Sequence, residues 1–310
     1  MKKISLFSFL LLFLSATQIF AQAKISPELE GRWDLTIHNK GGKELPSWLE
    51  INHSGNRTLT GRFVSVSGSA RPVAKIVFTK PDFSFSIPAQ WEGGSGELML
   101  QGTLDGDKMT GSIVYPDGSK NDWSGIQAPK LSNLSEPKWD KPVALFNGKD
   151  LTGWHALGKV NQWVVENGVL RSPKSGSNIC TDEKFTDFKL HVEFKYPAGS
   201  NSGVYLRGRY EVQIEDSKGL DPLIDLFGAV YGFIAPNEMA ANAAGEWQTY
   251  DITLIGRTVT VVANGKTIIC KQPIPGITGG ALDSNESEAG PIYFQGDHGP
   301  VEFRNIVITK

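Results

Sequence analysis

An all-β chain in two parts is predicted by three observations. Turn signals such as "NGK", "DGD", "PDGS" and "ENG" recur about every 8 to 12 residues, and runs rich in Val, Ile, Thr and aromatics lie between them. A proline-rich stretch interrupts this pattern near the middle. Long helical periodicity is absent, and 310 residues exceed the usual size of one domain.

The elements follow in order. "MKKISLFSFLLLFLSATQIFAQA" carries two lysines, an apolar run and an Ala-x-Ala ending at Ala23, the layout of a secretory signal peptide over residues 1–23. The mature protein is therefore expected in the periplasm or outside the cell. Residues 24–130 hold about eight alternating segments, from "GRWDLTIH" to "NDWSGIQA", enough for a small β-barrel or sandwich. Gly31–Trp33 resembles the opening strand of lipocalin-like barrels. This part shows no acid pair, metal spacing or nucleophile motif, so an accessory role is expected. Residues 131–142, in "QAPKLSNLSEPKWDKP", read as an extended linker because three prolines break any alternation. Residues 143–310 hold roughly a dozen further short strands, as a two-sheet jelly roll requires.

Composition excludes some classes of partner. A formal net charge of −2, spread along the chain, leaves no basic footprint for nucleic acid or an anionic membrane. Beyond the leader no run approaches the roughly 18 apolar residues that a membrane span needs, and no Cys follows Ala23 to take a lipid. Cys180 and Cys270 are the only cysteines; in an exported protein they either join or remain two thiols.

Candidate site residues come from alternation. It turns Val192, Phe194, Val204, Leu206, Val212 and Ile214 inward. The opposite face then carries His191, Glu193, Lys195, Gly203, Tyr205, Arg207, Glu211, Gln213 and Glu215, with Gln295 and Arg304 from the last hairpin. Arg, Tyr, Glu and Gln are groups that bond sugar hydroxyls and carbonyls directionally, so the set suggests a carbohydrate groove. The competing reading is an exposed sheet face laced with ion pairs. Trp247 is either a stacking platform or an interior aromatic; Trp154 and Trp163 are read as packing, and His38, His53 and His155 as surface residues.

The motifs "LFNGKDLTGW", "NSGVYLRGRYEVQIEDS", "GEWQTYDITLIG", "NGK" and "GPIYFQGDHGPVEFRNI" closely resemble the 3-keto-disaccharide hydrolase domain family, over residues 144–310. The resemblance implies a concanavalin-like β-sandwich from exported glycan-processing systems, acting on an oligosaccharide or glycoside whose C3 hydroxyl is oxidised to a ketone. Such a ketone acidifies the C2 hydrogen, so that a base can remove it, the enolate can be held by a cation, and the C1 oxygen can leave. In this scheme Glu211 is the base, Glu193 a second carboxylate, Arg207 the enolate clamp, and His298 in "GDHG" an acid, base or ligand. Tyr205, Gln213, Gln295, Trp247 and Arg304 bind substrate. A divalent metal, if the reaction uses one, would take Glu193, Glu211 and His298 as ligands. Two alternatives stand beside this reading. A laminarinase-like hydrolase of unoxidised glucans is suggested by "EVQIE", although Gln213 stands where that pattern needs a central carboxylate. The other is a non-catalytic carbohydrate-binding protein.

Overall fold

The computed structural model describes residues 28–131 and 135–310, built of strands, turns and irregular segments, with no helix among the described residues. The expected leader, residues 1–23, lies outside the described residues. The N-terminal part is a closed barrel of eight sequential antiparallel strands, from Gly31–His38 to Lys120–Gln127. Closure is direct, because Gly31–His38 pairs with Glu44–Ser54 on one side and with Lys120–Gln127 on the other. Alternation drives it: in Glu97–Asp105 every second residue is buried. Trp33, Phe63, Phe83, Phe85 and Trp123 fill the interior.

The C-terminal part is a sandwich of two sheets. The five-stranded sheet runs in the order Trp154–Leu157, Asn178–Thr181, Tyr293–Phe294, Asn201–Leu206, Tyr210–Glu215. The eight-stranded sheet has Val301–Thr309, Phe188–Lys195 and Gln248–Ile255 at its centre. All six residues that alternation turns inward are fully buried between these sheets. Phe294 and Phe303 stack across the gap, centroids 4.1 Å apart. Burying each such side chain contributes about 1.5–3 kcal/mol, which makes this core the main source of stability.

The two parts share apolar packing. Trp48 and Val64 belong to barrel strands, yet they are buried in the sandwich cluster and not in the barrel's own. The Trp48 ring meets Phe233 edge-on at 5.2 Å. Gly276 allows this approach, since a Cβ there would stand 2.1 Å from the indole nitrogen. Three hydrogen bonds reinforce the seam: Arg32 Nη1 donates to Pro275 O at 3.0 Å, Gly280 N to Val66 O at 3.0 Å, and Ser284 Oγ to Leu35 O. Between the barrel's last strand and Val143 there is no strand among the described residues.

Candidate active site

The hairpin of Asn201–Leu206 and Tyr210–Glu215 sets the site. Its inward residues occupy the core, so Gly203, Tyr205, Glu211 and Gln213 stand on the outer face of the five-stranded sheet. Register extends this face into a row: Glu211 is opposite Tyr205, Tyr205 opposite Tyr293, Tyr293 opposite Cys180, and Cys180 opposite His155. The two tyrosine rings stack with centroids 3.9 Å apart. Gly203 makes room for the carboxyl, because a Cβ there would stand 2.2 Å from Glu211 Oε1.

This face is not a wet surface. Glu211 is 3% exposed and Gln213 3% exposed, because the segments 216–247 and 274–291 and the barrel fold over them. Thr278 Oγ1 accepts the Glu211 amide at 3.0 Å, and Gly279 and Gly280 lie over Tyr205. What remains open is a cleft of about 440 Å³, a size suited to a small ligand. Its floor is Tyr205, Glu211, Gln213, Tyr293 and Gln295; Asn178, Asn201, Tyr231, Asp297 and His298 form its walls, and Ser67, Gly68 and Trp91 of the barrel complete the rim. A larger hollow of about 560 Å³ on the barrel has only exposed ionisable groups, Asp82, Lys120 and Asp122, and offers no shielded chemistry.

Electrostatics single out Glu211. Burial pushes its carboxyl up to about 8; the Tyr205 hydrogen bond works against this, and the charges of Asp297 and Glu215 add to it. Tyr205 Oη lies 2.9 Å from Glu211 Oε2 and 2.8 Å from Gly279 O. One hydroxyl carries one proton and the carbonyl can only accept. When Tyr205 donates to Gly279, its contact with Glu211 is a hydrogen bond only if the carboxyl is protonated; when Glu211 ionises, Tyr205 turns to it. The site thus stores a proton with two arrangements of one hydroxyl.

The neighbours have complementary properties. Asp297 Oδ1, 2.6 Å from His298 Nδ1, raises the imidazole's proton affinity, so His298 gains positive character at the cleft wall. Glu215 accepts from Asn201 Nδ2, and burial raises its carboxyl. Asn178 Oδ1 accepts from Gly296 N at 2.7 Å, which leaves its NH2 as the free donor. Gln213 Oε1 and Gln295 Oε1 are buried without a protein partner, and both residues line the cleft. Unpaired buried acceptors are costly, so these are natural sites for ligand hydroxyls.

Several expected members stand elsewhere. Glu193 and Arg304 face outward from the eight-stranded sheet, on the far side of the sandwich from Glu211. There Arg304 Nε donates to Glu193 Oε2 at 2.6 Å, and Asn305 adds a second bond; burial alone would raise Glu193, but these bonds hold it low. Trp247 is with them, its ring 3.8 Å from the Arg304 guanidinium carbon, so it meets this ion-pair face and not the cleft. Arg207 is displaced for a different reason. Its φ of +52° breaks the alternation, and its guanidinium bonds Tyr210 Oη at 2.9 Å. It is 2% exposed and absent from the cleft lining. Glu211, Tyr205, Gln213, Gln295 and His298 are therefore together, whereas Glu193, Arg207, Trp247 and Arg304 are not among them. The ligand trio Glu193, Glu211 and His298 is not assembled, and no cluster of three His, Cys, Asp or Glu able to hold a metal occurs among the described residues. Tyr293, Asn178, Asp297 and the barrel's Trp91 were not expected; strand register could have disclosed Tyr293 alone, since the others stand at strand ends or in loops.

Cys180 and Cys270 are free thiols. Cys180 lies 3.2 Å from His155 Nε2, whose Nδ1 is 2.5 Å from Asp182 Oδ1. Burial pushes that thiol up to about 11, so it is neutral at physiological pH and not an activated nucleophile.

Residues 141–309 match the model of the 3-keto-alpha-glucoside-1,2-lyase-like domain. A 3-keto-disaccharide hydrolase of Bacteroides thetaiotaomicron is 29% identical over 115 residues, a stretch that spans 33% of this chain and 39% of that relative. Among solved structures, a Parabacteroides distasonis protein described as a glycosyl hydrolase superposes with a TM-score of 0.48 and 29% identity, over 59% of this chain and 96% of that one. Another from the same organism gives 0.44 and 26%, over 55% and 98%.

Proposed function

The chain belongs to the 3-keto-alpha-glucoside-1,2-lyase-like domain family, and we propose that it is an exported carbohydrate-active enzyme cleaving 3-keto glycosides by elimination across C1 and C2. The observation that carries this reading is Glu211: a carboxyl at the floor of a ligand-sized cleft, held near pH 8 by burial, with no cation bonded to it. A carbon acid next to a ketone needs a base whose proton affinity is near the working pH, and burial is how a glutamate acquires it.

In the proposed step ionised Glu211 takes the C2 proton. The C2–H electrons move toward C3, the ketone oxygen becomes an enolate, and the electrons return to expel the oxygen on C1. His298, whose proton affinity Asp297 raises, supplies the proton to that leaving oxygen. The Asn178 amide is a donor for the enolate in the place first assigned to Arg207. Gln213 and Gln295 accept sugar hydroxyls and fix the ring. Water added to the resulting enone makes the net change a hydrolysis.

The test is to incubate the protein with a 3-keto glucoside, with and without a chelator, and to follow aglycone release together with exchange of the C2 hydrogen in heavy water. Release accompanied by exchange supports elimination. Greater activity on unoxidised laminarin would transfer the protein to ordinary glucan hydrolysis, and glycan binding without turnover of any 3-keto substrate would make it a binding protein.

A further inference from the structure

The family match begins at residue 141, so the barrel lies outside it, yet Ser67, Gly68 and Trp91 of the barrel complete the cleft rim. Trp91 is 67% exposed. A single exposed aromatic needs no explanation by itself. Here, however, the loop that carries it is built to hold it still.

Glu92 accepts the backbone N–H groups of Gln90 and Trp91 at 2.8 and 3.1 Å. The same carboxylate takes two bonds from Arg71, at 2.6 and 3.2 Å, and both side chains of this pair are only 9% exposed. Gln90 braces the facing loop, accepting from Ser69 N at 3.2 Å and donating to Ser69 Oγ at 2.9 Å. Gly68, with φ +85°, lies so close to the indole that a Cβ would stand 2.5 Å from Trp91 Cδ1. A charged pair and an amide bridge thus fix the backbone that carries the indole, and Gly68 lies against a ring that packs into no core. The ordering entropy of the loop is already spent, which favours binding on the aromatic face it carries. Gln213 and Gln295, each more than nine-tenths buried and with its Oε1 unpartnered, line the same cleft.

We propose that Trp91 is the stacking platform of a second sugar subsite, so that the barrel selects the leaving group. The ligand class is an uncharged pyranose whose axial C–H groups form an apolar face, such as the distal ring of a disaccharide. The inner ring meets Glu211 and the two glutamines; the outer ring lies on the indole. This rests on the reading of the cleft as a glycoside-cleaving site, and it adds which part of the chain recognises the portion released.

The experiment compares the intact protein with Trp91→Ala and Trp91→Phe on two substrates, a 3-keto disaccharide and the 3-keto methyl glucoside, and measures binding of the unoxidised disaccharide by ligand-observed NMR. Trp91→Ala is expected to lower kcat/KM for the disaccharide roughly 10-fold, mainly through KM, and to leave the methyl glucoside unchanged within about 2-fold. Trp91→Phe is expected to recover most of the loss. Equal disaccharide kinetics and binding in wild type and Trp91→Ala overturn the platform and leave the reaction standing. Disaccharide binding that is lost in Trp91→Ala, in a wild type that turns over neither 3-keto substrate, leaves the platform and overturns the reaction. No binding and no turnover by the wild type overturns both.

Discussion

Asp34 of the first barrel strand and Glu286 of the sandwich meet as two carboxyl groups buried at the seam, 3% and 1% exposed. Burial and then the charge of Glu286 push Asp34 up to about 9, although Arg32 and Arg209 pull against this. Burial raises Glu286 as well, while Tyr210 Oη donates to it at 2.6 Å. The pair therefore keeps a proton that the unfolded chain would release.

A sign follows for stability. An acid raised in the folded state binds more protons there than in the unfolded chain, so its contribution is complete below the ordinary value of 3.8 and is lost as pH rises through about 9. Thermal unfolding followed from pH 5 to 9 should show Tm falling with pH. Asp34→Asn should flatten this slope; an unchanged slope would remove Asp34 from the account.

Glu211 predicts a rate profile. If its carboxylate is the base, kcat for a 3-keto glycoside should rise with pH through about 8, because only the ionised form takes the proton. Glu211→Gln should lower turnover by roughly 10²-fold or more and abolish C2 exchange. Its Tm at pH 7 should rise, because the unfolded chain no longer gains from ionising a carboxyl that the fold keeps protonated. A rate that does not change with pH across this range would remove Glu211 as the base.

Arg207 should behave as a structural residue. Buried at 2% and bonded to Tyr210, it ties the hairpin turn to the Tyr210–Glu286 contact. Arg207→Met is expected to destabilise by about 1–3 kcal/mol, the range for a buried polar group losing its partner. Per folded molecule, kcat should stay within a few-fold of the wild type, whereas loss of an enolate clamp would lower it by roughly 10²-fold or more.

Limited proteolysis of the intact chain should cut between Gln127 and Pro142, where the described residues form no strand. The two pieces should still elute together on size exclusion, because Trp48 is buried in the sandwich cluster. Separation of the pieces under native conditions would show that the shared packing is too weak to hold the seam.

Period-two alternation made much of the fold legible. It is a local property, and it assigned Val204, Leu206, Val212 and Ile214 to the core and Tyr205, Glu211 and Gln213 to the other face. Alternation says which side of a strand a residue is on, but not which of two sheets the strand joins. Phe188–Lys195 follows the same rhythm as Asn201–Leu206, yet it belongs to the eight-stranded sheet, and Glu193 goes with it. Arg207 escaped because a left-handed residue resets the rhythm at the turn. The high proton affinity of Glu211 was hidden for another reason: it depends on irregular segments folding over the sheet, and such segments have no period to read.

Glu211 stands on the sandwich and Trp91 on the barrel, and the covalent connection between them runs through the stretch between Gln127 and Val143. On the proposed function, reactivity and choosiness are written in different halves of the gene. A recombination in that stretch would exchange one barrel for another, and provided the newcomer presented a residue to occupy the place of Trp48 against Phe233, the descendant would inherit the proposed bond-breaking step with a new clientele.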